Sequence, residues 1–341
     1  MNTKDEILDA IERRHSGPLP PPVLLTQTGT VGLMEGCGTF WPEAHYDTAK
    51  MVRLALQPSE RFGFATARVP FDLTAEAEAL GCTVSEGTRD SQPMVTGSPW
   101  RDLGTIPPLP DLISPGEMLS SHRIRTVLEA AERIHDVRGD LFLTTMCLSP
   151  EGIASHMLGM ETMIMGTMMD PDGVKGWVEA VSGHSRAYAS ALSEVSDNVV
   201  MISSIQSDLL MPETNAMIAD IARGTISSIG QSYSTVHNCG NTLRSVDDIV
   251  GMRPDIVSLE TSSDPEAYLR AIGGRCVTLG CINPVRTLLQ GSADDVRGCA
   301  LESAELGFDL VGPECGVPPL TPDANLRALA VYRDRFTRCR R

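Results

Sequence analysis

The segment Asp140-Leu-Phe-Leu-Thr-Thr-Met-Cys147 is a short, almost unbroken apolar run that begins just after a long helical pattern. A run of this kind is typical of a strand that is buried on both faces of a parallel sheet. The helical pattern before it extends from Met118 to Val137, and its apolar face carries Leu119, Ile124, Val127, Leu128, Ala131 and Ile134. A helix joined to a buried strand is the building unit of α/β proteins.

The same alternation recurs along the whole chain. We predict eight strands, at Val23–Thr28, Gly63–Val69, Asp140–Cys147, Asn198–Ser203, Ser232–His237, Asp255–Glu260, Arg275–Cys281 and Phe308–Pro313. Eight strands with intervening helices in 341 residues indicate an α/β fold, a (β/α)8 TIM barrel that forms one domain over residues 1–341. A doubly wound sheet is the alternative, but no Gly-x-Gly-x-x-Gly motif follows the first predicted strand.

Helix ends and one insertion complete the expected organisation. Thr3 and Glu6 have the spacing of a capping box at the start of the first helix. Thr321 and Pro322 predict the cap and the first turn of the last helix. Residues 82–117 are rich in Gly, Pro, Ser and Thr, with little periodicity. We therefore expect a small insertion after strand 2, a hairpin near the barrel mouth.

Charge and hydropathy restrict the partners and the cellular location. The chain has 28 Lys and Arg against 44 Asp and Glu, so its formal charge of −16 repels nucleic acid and anionic lipid. The sequence contains no apolar window of 18 residues, and a membrane-spanning helix is not expected. Its first residues, MNTKDEILDAIERR, lack the basic start and the apolar stretch of a signal peptide. We expect a cytoplasmic protein.

Nine cysteines are an odd number, and a disulfide framework is not expected in the cytoplasm. Most of them have no metal-ligand spacing and are expected to be small buried hydrophobes: Cys37, Cys82, Cys147, Cys276, Cys281, Cys299 and Cys339.

The remaining two cysteines lie at predicted strand ends. His237 and Cys239 are two residues apart where one strand finishes, so their side chains point the same way. Glu260 ends the next strand, and Cys315 follows the last one. The carboxyl ends of barrel strands converge on the mouth, where active sites form. One imidazole, two thiols and a carboxylate in that place indicate a Zn²⁺ site, because two thiolates select a soft or borderline metal. The alternative is four unrelated residues that happen to end strands.

The chain resembles the uroporphyrinogen decarboxylase superfamily, and within it the methylcobamide:coenzyme M methyltransferases of methylotrophic methanogens. The resemblance covers nearly the whole chain. It is carried by Val23-Leu-Leu-Thr-Gln-Thr-Gly-Thr-Val-Gly-Leu-Met34, Trp41-Pro-Glu-Ala-His45, Arg68-Val-Pro-Phe-Asp-Leu-Thr-Ala-Glu-Ala-Glu-Ala-Leu-Gly-Cys82, Ser149-Pro-Glu-Gly-Ile-Ala-Ser-His156, His237-Asn-Cys-Gly-Asn241, Gly280-Cys-Ile-Asn-Pro-Val-Arg-Thr-Leu-Leu289 and Gly312-Pro-Glu-Cys-Gly316. The His-x-Cys pair with a distant Cys is the zinc signature of this group.

The resemblance implies a mechanism and a set of partners. Zinc would bind to His237, Cys239 and Cys315, with Glu260 as an exchangeable fourth ligand. The thiol of coenzyme M would displace that carboxylate, lose its proton to become a thiolate, and attack the methyl group of a methylcobamide. The products would be methyl-coenzyme M and cob(I)amide. In this family a separate small corrinoid protein carries the methylcobamide.

Further polar residues at predicted strand ends are expected to line the pocket. Asp72 falls where the decarboxylases place their catalytic Asp, although a loop cap is an equal alternative. Asn283 and Gln27 end strands and are expected either to contact substrate or, for Asn283, to shape the turn before a proline. Coenzyme M carries a sulfonate, and Arg68 and Arg286 are the cations near strand ends. The sequence assigns no residue to the corrin.

Other residues and other functions are alternatives to this site and this mechanism. True decarboxylases carry two arginines soon after the first strand, whereas Thr26–Met34 has none, which argues against a porphyrinogen substrate. His45, His156 and His184 have no metal spacing, and the methionines of Met157–Met169 are expected to pack in an apolar helix face or against a partner. The alternatives are a related corrinoid enzyme with another thiol or a folate as carrier, a non-catalytic zinc barrel, and a zinc-free decarboxylase-like enzyme.

Overall fold

The computed structural model describes residues 2–101 and 105–334. Seven strands form one parallel sheet in the order β1-β4-β5-β6-β7-β8-β9, and β2 and β3 form a separate antiparallel hairpin. The strands are β1 (Thr66–Arg68), β2 (Thr83–Ser85), β3 (Met94–Gly97), β4 (Phe142–Leu148), β5 (Asn198–Ser203), β6 (Tyr233–Asn238), β7 (Ile256–Leu259), β8 (Val277–Ile282) and β9 (Leu310–Pro313).

Helices connect the parallel strands and cover the outside of the sheet. They are α1 (Lys4–Ile11), α2 (Val31–Cys37), α3 (Thr48–Ala55), α4 (Gln57–Phe62), α5 (Ala75–Ala79), α6 (Pro115–Leu119), α7 (His122–Val137), α8 (Pro150–Leu158), α9 (Met160–Met169), α10 (Pro171–Ser193), α11 (Pro212–Ser228), α12 (Val246–Gly251), α13 (Pro265–Ile272), α14 (Ala293–Leu306) and α15 (Asp323–Ala330). Short 3₁₀ turns lie at Glu43–His45 and Leu243–Ser245, and a π-helical turn lies at Pro284–Leu289. None of the helices in the described part of the chain is long and apolar enough to span a bilayer.

The barrel closes through a segment that is not a regular strand. The N–H of Val23 donates to the carbonyl of Val311 over 2.9 Å, and Val311 donates back to Pro21 over 3.1 Å. On the other side, the N–H of Leu24 donates to Oγ1 of Thr66 in β1 over 3.3 Å. This segment therefore occupies the eighth position between β9 and β1, and the predicted (β/α)8 barrel is confirmed. The strand predicted at Val23–Thr28 is wrong, because only one bridge forms there and the preceding prolines have no N–H to extend a ladder.

The amino ends of the strands are sealed by the first helix. Ile7, Ala10 and Ile11 of α1 pack against residues that begin strands, among them Phe142 and Leu310. Thr3 accepts a hydrogen bond from the N–H of Glu6, and both halves of the predicted capping box are present. Because this end of the barrel is filled with apolar side chains, the opposite, carboxyl end is left for chemistry.

Two helix predictions need correction. The pattern from Met118 to Val137 forms two helices, because Ser121 takes an extended conformation between α6 and α7. Thr321 does not cap the last helix: α15 begins at Asp323, Pro322 precedes it in an extended conformation, and the buried hydroxyl of Thr321 has no hydrogen-bond partner among the described residues.

The β2–β3 hairpin lies within the segment predicted as an insertion, after the strand that corresponds to the second one of the barrel. Trp100, just beyond the hairpin, packs edge-on against Trp177 of α10 with ring centroids 6.0 Å apart. The sulfur of Cys82, at its start, lies 4.0 Å from the carbonyl oxygen of His156. The extent 82–117 and the single-domain organisation remain predictions.

All eight cysteines of the described residues are free. Cys82, Cys147, Cys276 and Cys281 are buried as expected, whereas Cys37 and Cys299 are half-buried. Cys339 lies outside the described residues.

A carboxyl group is buried on the outer side of the sheet. Glu76 of α5 is 4% exposed and accepts a hydrogen bond from the N–H of Leu148 over 2.7 Å. Burial raises the pKa of Glu76 to about 7, and the backbone hydrogen bond lowers it by less. The unfolded chain releases this proton at lower pH than the folded one, so the group lowers stability progressively as pH rises from its ordinary pKa towards 7.

We expect Glu76→Gln to raise the free energy of unfolding at pH 8 by up to about 3 kcal/mol, because the amide keeps the acceptor oxygen without the charge. The gain should vanish at pH 4, where the carboxyl is protonated in both states. Denaturant unfolding of both proteins at the two pH values measures it, with the exposed Glu213→Gln as the control variant. An equal effect of Glu76→Gln at both pH values would contradict the argument.

Candidate metal centre

The residues predicted as metal ligands converge at the carboxyl ends of neighbouring strands. His237 lies near the end of β6, and Cys239 directly follows that strand. Glu260 follows β7, and Cys315 lies two residues beyond β9. The parallel sheet thus brings side chains from distant parts of the chain to one mouth.

Three of these side chains form a compact donor set. The imidazole nitrogen of His237 and the sulfurs of Cys239 and Cys315 all lie within 4.8 Å of one another. Nε2 of His237 is 3.2 Å from Sγ of Cys239, and the two sulfurs are 3.0 Å apart, well beyond the ~2.05 Å of a disulfide. One imidazole and two thiols at this spacing fit a borderline-soft divalent ion such as Zn²⁺.

The orientation of His237 is fixed by a serine on the neighbouring strand. Nδ1 of His237 lies 3.0 Å from Oγ of Ser258, the residue that faces it in the β6–β7 register. The hydrogen bond at Nδ1 leaves Nε2 directed at the two cysteines, the arrangement that supports a metal-ligating histidine. Sequence reasoning missed Ser258, although it stands only two residues before Glu260.

The two thiols share charge before any metal binds. The hydrogen bond from Cys239 lowers the pKa of Cys315 below its ordinary value, outweighing burial, and the nearby His237 lowers it further. The same hydrogen bond and burial raise the pKa of Cys239 above its ordinary value. Of the two thiols, Cys315 is therefore the one that ionises more readily.

Glu260 lies beside the donor set but outside it. Among the described residues, the group of ligand atoms within 4.8 Å comprises His237, Cys239 and Cys315 and does not contain Glu260. Burial raises the pKa of the Glu260 carboxyl, and the negative groups of Cys315 and Glu314 raise it further, while a hydrogen bond from the N–H of Gly240 lowers it. Its role as a fourth ligand remains a prediction.

A second carboxylate, which sequence reasoning missed, anchors the loop that carries Cys315. Glu314 is 1% exposed and accepts hydrogen bonds from the N–H groups of Thr261 and Ser262 at 2.9 and 2.8 Å. The hydroxyl of Ser262 donates to it over 2.6 Å, and Nδ2 of Asn283 over 2.8 Å. The loops after β7, β8 and β9 are thereby tied together, which positions the adjacent thiol. Its only sequence signal is its place next to Cys315.

Asn283 and Gln27 occupy the surroundings of the donor set. Asn283 holds Glu314 with its amide nitrogen, while its oxygen accepts from the N–H groups of Val285 and Arg286, so it also shapes the turn. Gln27 packs beside Gly316, and its buried Nε2 has no hydrogen-bond partner among the described residues. Their contact with substrate remains a prediction.

Asp72 is saturated by protein contacts. One oxygen accepts from the N–H and the hydroxyl of Thr74 at 2.8 and 2.7 Å, and the other contacts Arg123 and His45. Burial raises the pKa of Asp72, but the hydrogen bond with His45 and the charge of Arg123 lower it more, leaving it well below its usual range. These contacts favour a positioning role. A direct role in catalysis stays a prediction.

The two arginines predicted near the mouth differ in their surroundings. Arg68 is buried, donates to the carbonyl of Pro70 over 2.8 Å, and contacts the sulfur of Met146. Burial lowers its pKa to about 9, although the charge of Asp72 raises it. Arg286 is exposed, and its guanidinium lies 3.3 Å from the Ser262 hydroxyl. Neither is yet assigned to an anion.

The other residues singled out from the sequence lie elsewhere. His184 hydrogen-bonds to the carbonyl of Ile113 at 2.7 Å, and His45 lies against Asp72. In the methionine-rich stretch, Met157 and Met163 are buried, while four further methionines are exposed: Met160, Met165, Met168 and Met169.

The sequence and the fold match known proteins over nearly the whole chain. The chain belongs to the uroporphyrinogen decarboxylase (URO-D) family, whose model matches residues 2–336. It is 30% identical to "Methylcobamide:CoM methyltransferase MtaA" of Methanosarcina barkeri, with 98% of each chain covered. It is 29% identical to "Methylcobamide:CoM methyltransferase MtbA" of Methanosarcina acetivorans, with 91% of each covered. A solved "methyltransferase from Methanosarcina mazei" superposes with a TM-score of 0.90 and 30% identity, over 99% of this chain and 100% of that one.

We expect Ser258→Ala to weaken Zn²⁺ binding by about 10–100-fold, because the His237 ring loses the partner that directs Nε2 at the thiols. Titration of Zn²⁺ against a chromogenic chelator measures the affinity. Ser303→Ala removes another buried hydroxyl, one that donates to Cys299 and does not touch the donor set, and serves as the control. Equal Zn²⁺ affinity in both variants would show that Ser258 does not orient the ligand.

Proposed function

We propose that this protein is a zinc-dependent methyltransferase that moves a methyl group from a methylated corrinoid to the thiol of coenzyme M. The observation that carries the proposal is the donor set of His237, Cys239 and Cys315 at the barrel mouth. The names of the relatives, methylcobamide:CoM methyltransferases, suggest the substrates. The products would be methyl-coenzyme M, cob(I)amide and the proton that the thiol gives up.

The chemistry needs an acceptor sulfur that is both deprotonated and electron-rich. Bound Zn²⁺ would supply the Lewis acidity that removes the thiol proton at neutral pH. His237, Cys239 and Cys315 leave one tetrahedral position free, as catalytic zinc sites do and closed structural sites do not. The two cysteine thiolates bring negative charge that keeps an incoming sulfur nucleophilic.

We propose that Glu260 yields the fourth position to the acceptor. Its carboxylate lies beside Cys315 and Glu314, whose negative charge makes its ionised form less favourable. The N–H of Gly240 offers the carboxylate a hydrogen bond that favours its ionised form. In this proposal Glu260 fills the fourth position when substrate is absent and gives it up to the thiol.

The methyl donor is large, and we propose that a small corrinoid protein brings it to the mouth. The acidic surface of this chain, with a net charge of −16, requires a complementary docking rim on that partner. We propose that the reaction takes place in the cytoplasm, with neither nucleic acid nor a membrane as partner. A corrinoid enzyme with another thiol or a folate as carrier is the alternative, and the same donor set would serve it.

Metal content and methyl transfer should be lost together when one thiol is removed. We expect wild-type protein to hold about one zinc per chain, and Cys315→Ala to lose it because two ligands bind zinc far more weakly than three. Elemental analysis gives the metal content. The absorbance of free methylcobalamin mixed with coenzyme M gives the transfer.

Cys37→Ala is the matched control, since Cys37 is a half-buried cysteine outside the donor set. It should keep both zinc and transfer. If the wild-type protein holds zinc but transfers no methyl group to coenzyme M, the metal site is supported and coenzyme M is rejected as the acceptor. Other thiols and folates would then be tested as acceptors. Wild-type protein without zinc would refute the proposed methyltransferase.

A further inference from the structure

A cavity of about 330 Å³ opens beside the metal centre, on the side of Cys239. It lies between α8, α9 and the loop that follows β5. Its wall is largely apolar, and Leu148, Met163, Ile164, Ile202 and Ile218 are among the residues that line it. The loop side is tied to the metal centre, because Nε2 of Gln206 donates to the carbonyl of Cys239 over 3.2 Å.

One buried carboxyl group of this wall has an oxygen without a partner. Glu151 of α8 is 1% exposed, and its Oε1 accepts from the hydroxyl of Ser203 at 2.8 Å and the N–H of Ser204 at 2.9 Å. Its Oε2 is buried and has no hydrogen-bond partner among the described residues. An unpaired buried acceptor costs free energy, which a donor brought by a ligand would recover.

The charge of Glu151 and the polarity around it define the ligand. Burial raises the pKa of Glu151, more than the hydroxyls of Ser149 and Ser203 lower it, so a hydrogen-bond donor would stabilise its ionised form. His156, which also lines the cavity, has a second unpartnered atom in Nδ1, and burial lowers its pKa, which favours the neutral ring. The lining, all of it within the described residues, contains no Lys or Arg. An anionic sulfonate would face the buried carboxyl of Glu151 with no cation in the wall itself, since Arg101, whose charge helps to lower the pKa of His156, is not part of the lining.

A corrin macrocycle, unlike an anionic sulfonate, suits this wall. Its rim carries methyl groups and neutral primary amides, which match an apolar wall with isolated acceptors. We propose that this cavity takes one edge of the corrin ring, with Oε2 of Glu151 accepting a hydrogen bond from a corrin side-chain amide. The proposal rests on the proposed function, since it assumes that the methyl donor is a corrinoid. It assigns the Cys239 side of the mouth to the methyl donor and leaves the Glu260 side to the thiol that accepts the methyl group.

Two variants test the cavity by different routes. Glu151→Gln keeps an oxygen for Ser203 and Ser204 but turns the free acceptor into a donor, and Ile164→Trp fills the cavity from α9. We expect each to raise the KM for free methylcobalamin about tenfold, with the KM for coenzyme M and the zinc content unchanged. Met168→Trp adds the same ring to an exposed position of α9 outside the lining, and should behave as wild type.

A rise in the KM for coenzyme M at constant KM for methylcobalamin would overturn the assignment, because the cavity would then belong to the acceptor. Equilibrium dialysis of methylcobalamin without a thiol distinguishes failure of the corrin subsite from failure of the proposed function. Suppose that wild-type protein binds methylcobalamin without transferring its methyl group, and that Ile164→Trp does not bind it. The corrin subsite is then supported, and the proposed function is rejected. Absence of binding to wild-type protein, or equal binding by all variants, overturns the corrin subsite.

Discussion

The hydrogen bond between His237 and Ser258 is the contact on which the site depends. It exists because β6 and β7 run parallel in a register that sets these two residues side by side. With Nδ1 occupied, Nε2 faces Cys239, and the loop after β9 adds the sulfur of Cys315. A shift of one residue in that register would turn the imidazole to the opposite face of the sheet and separate the ligands.

Buried polar groups around the mouth hold this geometry at a cost in stability. Glu314 is an ionisable group in an almost water-free position, and it is tolerated because four donors surround it. Asp72 is held in the same way by Thr74, Arg123 and His45. Networks of this kind rigidify only while every member is satisfied. Glu151 differs from these two carboxylates, because one of its buried oxygens has no partner among the described residues and Glu151 lines an apolar cavity.

The sequence predicted the barrel and the convergence of His237, Cys239 and Cys315, because the strands that carry them are marked by local pattern, while Glu260 lies outside the observed group. Apolar runs indicated β4 to β9. The two-residue spacing of His237 and Cys239 directs both side chains the same way, however the surrounding residues pack. The eighth barrel position was predicted as a regular strand, but its backbone pairs through one bridge and a side chain. Ser258, Glu314 and Glu151 could not be found in advance, since their roles arise from register and from contacts between distant loops.

We propose that His237, Cys239 and Cys315 hold zinc with one position open to a thiol. Zinc K-edge X-ray absorption of the purified protein, with and without coenzyme M, tests it most directly. In the free protein we expect two sulfur neighbours and two nitrogen or oxygen neighbours around the zinc. Once coenzyme M is added, we expect three sulfur neighbours. Four unchanged neighbours in the presence of the thiol would contradict it, because the site would then be closed and structural.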